Sequence, residues 1–401
     1  MTMPRLSQRA RSMPASPIRR LAPLANAARE AGKTVYPLNI GQPDIPTPEA
    51  ILGRMARFDA PNLAYGPSQG LPEFVEAIRV YQQRIGLPVE TEEIFVTTGG
   101  SEALLFVFGA IADPGDEVIV FEPFYTNYNG FAGLVGVRSV PLQTHAEDGY
   151  HLPSEEEIEA AVGERTRAIV LCSPNNPTGT VYSREELQRV VSVCRRHGLF
   201  LVSDEVYREF TYDGLSHVSA LEFDEIADRV IVTDSLSKRV SMCGARVGWI
   251  VCRNREVMQS VLKFGQARLC PPTLEQYLAA GLNDVPESYM REVIAEYEAR
   301  RNVVVDALAD VPGVLMRKPE GAFYLCPRVP VDDSQKFAEF LLRDFDVDGE
   351  TVMIAPADGF YATEGLGRNE LRIAYVLNRE SMARSMEIFT RALAAYPGRT
   401  A

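Results

Sequence analysis

Between two short apolar runs, Val230 to Val232 and Val247 to Val251, the chain carries Ser235, Ser237, Lys238, Gly244 and Arg246. The runs have the length and branching of buried strands, so Lys238 leaves the end of one of them. Desolvation there, with the Arg246 cation eight positions on, disfavours the ammonium form and exposes a neutral amine, which Schiff-base chemistry with a carbonyl requires. Taken alone, a lysine after a strand is a solvated loop charge, and only partners elsewhere in the chain overturn that default.

Several stretches offer such partners. FLVSDEVYREF ends a strand on Asp204, with Tyr207 three residues later and on the same face if the chain is helical there; in isolation Asp204 reads as an ordinary helix N-cap. IFVTTGGSEALLFVFGAI is a strand, a break at Gly99, Gly100 and Ser101, and a helix whose first-turn N–H groups can hold a phosphate. Tyr125 follows the strand EVIVFE and can stack on a flat ring. In SPNNPTG a turn accounts for Pro177 and Gly179 but does not need both Asn175 and Asn176. Gly41, in NIGQPD, lets backbone approach a ligand closely, and Tyr65, in YGPSQG, is either a core aromatic or a hydroxyl that reaches a ligand.

The elements that must position these groups follow a pattern. Strands near residues 94, 117, 168, 200, 230 and 247 mostly alternate with helical segments. That pattern predicts an α/β fold with a mainly parallel sheet sandwiched by helices, in which polar groups gather at the carboxyl ends of the strands, where such sheets bind ligands. After Arg268 the alternation stops. A highly charged helical stretch from Glu287 to Leu308, the segment GAFYLCPRV, a helix from Ser334 to Asp344 and NELRIAYV predict a smaller α+β domain that also takes in the N-terminal segment. The expected division is 1–46, an arm and part of the small domain; 47–283, the large domain; and 284–401, the small C-terminal domain. From Met1 to Arg29 there are six arginines and no acid, which loosely fits a transit peptide. The apolar spacing of Ile18, Leu21, Leu24 and Ala25 before Gly32 fits a mature arm or first helix better.

Composition narrows the function. The chain has 401 residues, 46% hydrophobic and 24% charged, with a net charge of −13. That acidity argues against a nucleic-acid surface or attraction to anionic lipid, and no apolar run approaches the roughly 20 residues of a membrane span. A small-molecule partner is the expectation. Six cysteines scattered without CxxC spacing predict a reducing, cytoplasmic location, and four histidines without ligand spacing predict no metal site.

IGQPD, YGPSQGLPE, TTGGSEAL, SPNNPTG, SDEVY, SLSK with Arg246 downstream, GAFY and LRIAY, taken in this order, resemble class I aminotransferases of the pyridoxal phosphate fold type I, close to the bacterial aspartate aminotransferase group. The resemblance runs from about Ser16 to Leu393. It implies pyridoxal 5'-phosphate on Lys238, with Asp204 paired to the ring nitrogen. Tyr207 and Asn176 would meet the ring hydroxyl oxygen, and Tyr125 the ring face. It implies phosphate contacts from Gly100, Ser101, Ser235, Ser237 and Arg246, and from Tyr65 of the other subunit of a homodimer with shared sites. Gly41, Asn176 and Arg372 would bind substrate, Arg372 by its carboxylate. The implied activity is a ping-pong transfer of the amino group of an L-amino acid, aspartate-type or broader, to a 2-oxo acid such as 2-oxoglutarate. A lyase on the same fold, or a non-catalytic ligand sensor, is the alternative. Ser101 stands where some aspartate-selective members carry a lysine, which implies a broader pocket unless an arm residue such as Arg19 or Arg20 supplies the cation.

Overall fold

The computed structural model describes residues 4–13 and 19–400; Ile18 of the expected first helix lies outside them. Seven strands build the main sheet: β1 (Ile94–Thr97), β2 (Glu117–Glu122), β3 (Arg138–Gln143), β4 (Thr166–Cys172), β5 (Phe200–Asp204), β6 (Val230–Ser235) and β7 (Gly248–Cys252). Their spatial order is β1-β7-β6-β5-β4-β2-β3. Only β7 runs antiparallel to its neighbours, β1 and β6; the remaining pairs are parallel. The α/β sandwich expected from the alternation is therefore the one observed.

Both faces of this sheet are covered, so its central strands are nearly continuous apolar runs rather than alternating ones. Val118, Val120, Val170, Val202, Ile231 and Ile250 point into one core, and their chain neighbours Ile119, Ile169, Leu171, Leu201, Val232 and Val251 into another. The helix Arg184–His197 shows how sequence sets the boundaries of the covering layer. Ser183 accepts from the Glu186 N–H at 3.2 Å while the Glu186 carboxylate accepts from the Ser183 N–H at 2.8 Å, and Gly198 closes the helix in the left-handed region. One strand of this sheet escaped the sequence reading. β3 is an edge strand with largely half-buried residues, and its RSVPLQ carries a proline that only an edge tolerates.

The C-terminal third folds around two smaller sheets. Thr34–Pro37 pairs in parallel with Glu350–Met353, which ties the N-terminal segment to the end of the chain. Ala355–Pro356, Leu371–Ala374 and Tyr324–Leu325 form an antiparallel sheet of three strands. The helix Glu287–Leu308 packs against Arg379–Ala395, and the helix expected from Ser334 to Asp344 spans Ser334–Arg343. The arm enters as the helix Ala22–Glu30, with Leu21 and Ala25 in the core. Among the described residues no helix is long and apolar enough to cross a membrane.

Candidate active site

A cavity of about 270 Å³ lies at the carboxyl ends of β4, β5 and β6. Lys238 is at its centre. The chain leaves β6 through Ser235, whose hydroxyl accepts from the Ser237 N–H at 3.3 Å, and makes the single turn Leu236–Arg239. Lys238 Nζ donates to the Gly41 carbonyl at 2.7 Å and lies 6.0 Å from the Tyr207 ring centre and 5.8 Å from that of Phe323. Among the described residues no carboxylate pairs with it. Enclosure, aided by the Arg372 and Arg246 charges, pulls its pKa down to about 8. The backbone of Gly41 comes this close because the residue has no side chain; a Cβ there would lie 1.8 Å from the Tyr324 hydroxyl oxygen.

Asp204, the last residue of β5, is buried, and among the described residues its one side-chain hydrogen-bond partner is the Tyr128 hydroxyl, which donates to Oδ2 at 2.9 Å. Its Oδ1 accepts from the Val206 N–H at 3.3 Å, so the local cap and the aim into the cavity coexist. Burial pushes the carboxyl up to about 6, outweighing those two hydrogen bonds. Tyr207 follows on a turn, not a helix, and its hydroxyl meets that of Tyr324 at 2.7 Å.

At one end of the cavity the helix Gly99–Ile111 begins. Gly99 has φ +73°, and a Cβ there would lie 2.6 Å from Arg246 Nη2, so glycine lets the guanidinium lie against the helix start. β7, being antiparallel, brings its first residues to the same edge, since Gly248 is in register with both Thr97 and Ser235. Gly100, Ser101, Ser235, Ser237 and Arg246 all line this end. Unpaired N–H groups, hydroxyls and a cation make an anion cradle.

At the other end Arg372, 2% exposed, stands on the strand Leu371–Ala374. Its Nη1 donates to Asn176 Oδ1 at 3.0 Å and its Nη2 to the Asn39 carbonyl. The Tyr324 and Phe360 rings flank the guanidinium at 4.7 and 4.9 Å. Its Nε is buried and has no hydrogen-bond partner among the described residues. A donor of this planar cation is thus open to an anion in the cavity.

The cavity thus gathers Gly41, Gly100, Ser101, Tyr125, Asn176, Asp204, Tyr207, Ser235, Ser237, Lys238, Arg246 and Arg372. Tyr65 is not among its lining; that side chain is 81% exposed. Sequence reading assigned no role to Tyr128 or Tyr324, although Tyr128 lies three positions beyond Tyr125 and Tyr324 ends GAFY. It left Arg19 and Arg20 as alternatives. Arg19 lines the cavity, and Arg20 instead bonds Asp358.

A family model described as "Aminotransferase class I and II" matches residues 33–389. The chain belongs to this family. Aspartate aminotransferase of Thermotoga maritima is 34% identical over 391 residues, covering 97% of each chain. Arginine–pyruvate transaminase of Pseudomonas aeruginosa is 33% identical over 369 residues, covering 89% of this chain and 90% of that one. The solved structure of Thermus thermophilus aspartate aminotransferase with maleate superposes with a TM-score of 0.87 at 30% identity, covering 98% of this chain and 100% of that one. This aminotransferase uses pyridoxal phosphate and moves an amino group from an L-amino acid to a 2-oxo acid; the lyase and sensor alternatives are not favoured. The residues present fit the cofactor: an amine for its aldehyde, a buried carboxylate for its ring nitrogen and an anion cradle for its phosphate.

Proposed function

We propose that this aminotransferase works with Lys238 as the covalent attachment point and proton carrier, a reading that rests chiefly on its uncompensated amine between the anion cradle and Arg372. Bound pyridoxal phosphate supplies an electron-withdrawing ring that stabilises negative charge at the substrate Cα. Asp204 keeps the ring nitrogen protonated, since a cation there relieves a buried carboxylate that burial has pushed up to about 6. Asn176 and Tyr207 hydrogen-bond the ring hydroxyl oxygen, and Tyr125 stacks on the ring. Gly100, Ser101, Ser235, Ser237 and Arg246 hold the phosphate. Arg372, already oriented by Asn176 and the Asn39 carbonyl, turns its remaining N–H groups to the substrate α-carboxylate. The Gly41 backbone borders the substrate, and its carbonyl accepts from the Lys238 amine in the cofactor-free protein. Once freed, the Lys238 amine takes the Cα proton, and the enclosure that draws its pKa down in the cofactor-free protein favours the neutral amine that this step needs.

Borohydride reduction of the holoenzyme followed by peptide mapping should place the reduced cofactor on Lys238. An adduct on Lys263, or none, sinks this assignment.

The enzyme, in this reading, is a cytoplasmic homodimer whose sites are shared, in keeping with its six free cysteines and with an exposed Tyr65 that serves the second subunit's phosphate. If Tyr65→Ala and Lys238→Ala are each nearly inactive, mixing them should restore activity through the one intact site of each heterodimer; no recovery despite proven subunit exchange places Tyr65 in its own subunit's site. We also propose the division into 1–46, 47–283 and 284–401, with the arm counted to the small domain; the pairing of Thr34–Pro37 with Glu350–Met353 supports it. For substrates, we propose that 2-oxoglutarate is accepted and that aspartate is one donor among several, because Ser101 brings no charge to the cavity.

A further inference from the structure

Among the described residues four cationic side chains line the cavity, Arg19, Lys238, Arg246 and Arg372, against a single carboxylate, Asp204. In the reading above Arg246 meets the phosphate, Arg372 the substrate α-carboxylate, and Lys238 is consumed in a covalent bond. Arg19 is left over. Among the described residues its side chain makes no hydrogen bond or ion pair. Its place is nonetheless fixed from the next residues on. Arg20 Nη2 lies 3.1 Å from Asp358 Oδ2, Leu21 is 1% exposed in the core, and the helix Ala22–Glu30 follows directly. Asp358 precedes by two residues the Phe360 whose ring flanks Arg372, so the arm is tied down beside the end of the cavity where substrate binds.

We propose that Arg19 is the residue that sets substrate preference, taking the side-chain carboxylate of a dicarboxylic amino or oxo acid while Arg372 takes the α-carboxylate. This rests on the assignment of Arg372 made above. Two guanidinium groups at one cavity, each able to grip a carboxylate through two parallel N–H bonds, match a ligand with an anion at each end. The preference is graded, because Arg19 is exposed. When the substrate is alanine or another monocarboxylic amino acid, Arg19 stays solvated at no desolvation cost, and the reaction proceeds. A buried cation in its place would enforce a dicarboxylate; an exposed one only favours it, and does so less as salt rises.

The test has a binding arm and a kinetic arm on the pyridoxal phosphate-loaded enzyme. Calorimetry with succinate and with propionate reads binding without turnover, and single-turnover absorbance with aspartate and with alanine reads reaction. Arg19→Gln should weaken succinate binding relative to propionate by about ten- to a hundredfold and lower the aspartate-to-alanine ratio of kcat/KM by a similar factor. Arg19→Lys, a point charge without the fork, should fall between, and Arg19→Glu should invert the ratio. If Arg19→Gln shifts both ligands alike, or neither, while Arg372→Lys weakens both, the proposal is overturned and the Arg372 assignment stands. If Arg372→Lys leaves both ligands unaffected, that assignment fails and the proposal falls with it.

Discussion

Two pairs of adjacent residues stand at the ends of adjacent strands, Asp204 with Glu205 after β5 and Lys238 with Arg239 after β6, and the members of each pair meet opposite fates. Asp204 and Lys238 face the cavity, where neither has an ionic partner among the described residues. Glu205 and Arg239 face away from it into a buried charge network. Arg239 donates to Glu209 Oε1 at 2.6 Å and to Asp234 Oδ2 at 2.7 Å and lies over the Tyr81 ring at 4.3 Å. Glu205 accepts from the Ser219 hydroxyl at 2.9 Å and the Ala220 N–H at 3.0 Å, with Arg208 Nη1 at 3.4 Å and His217 Nε2 at 3.1 Å. The pKa values separate accordingly. On the cavity side burial wins, drawing Lys238 down to about 8 and Asp204 up to about 6. On the far side burial opposes ionisation as before, but His217 and Arg208 hold Glu205 down to about 2, and the Asp234 and Glu209 charges raise Arg239. In these two pairs the group left without counter-charge shifts toward its neutral form and the group supplied with it stays ionised, although burial raises the Asp234 carboxyl even beside Arg239.

The sharpest way to break this division is to truncate the two neighbours separately. Lys238→Ala should lower turnover by about four orders of magnitude or more, since it removes both the attachment point and the proton carrier, yet leave the thermal midpoint within a few degrees. Arg239→Met should do the reverse. With Asp234 and Glu209 stripped of their cation, unfolding free energy should fall by about 3–5 kcal/mol, while molecules that remain folded lose much less turnover than Lys238→Ala does. Denaturant melts and turnover of the folded fraction read both quantities. An Arg239→Met protein as stable as wild type but as inactive as Lys238→Ala would move Arg239 to the catalytic side.

The catalytic side was largely legible in the sequence because it sits where strands stop. Runs such as VIVTDS and FLVSD are apolar up to the last two or three residues, so the polar groups that end them are displayed at the sheet edge. The sheet itself was legible for the same reason, and only β3, half-exposed and carrying Pro141, was missed. What could not be read depends on contacts far apart in the chain. Arg19 and Arg20 are identical in type and adjacent, and what tells them apart is Asp358, 338 positions beyond Arg20, which takes one and leaves the other to the cavity. The Asn39 carbonyl that orients Arg372 is 333 positions from it, and backbone acceptors carry no sequence signature at all. Tyr207, expected on the face of Asp204 only if the chain is helical there, arrives through a turn.

A smaller effect tests the comparison through pH, because the two adjacent acids should act on stability with opposite signs. Glu205 has its folded pKa depressed from 4.5 to about 2, so it contributes stability that is fully present above pH 4.5 and lost as pH falls through about 2. Asp204 is raised from 3.8 to about 6 in the cofactor-free protein, so the native state binds the extra proton and stability is lost as pH rises from 3.8 through 6. Asp204→Asn should therefore stabilise the cofactor-free protein by about 1–3 kcal/mol at pH 7 to 8, with little gain at pH 4. Glu205→Gln should destabilise it at pH 7, with a deficit that narrows below pH 4.5. Urea denaturation of both variants across pH 3 to 8 reads the two slopes. Loading with pyridoxal phosphate should cancel the Asp204→Asn gain, because the ring nitrogen then gives the wild-type carboxylate the cation that the fold withholds. If both variants lose stability alike at pH 7 without cofactor, Asp204 is satisfied in the empty site, and the withheld counter-charge cannot be what tunes it.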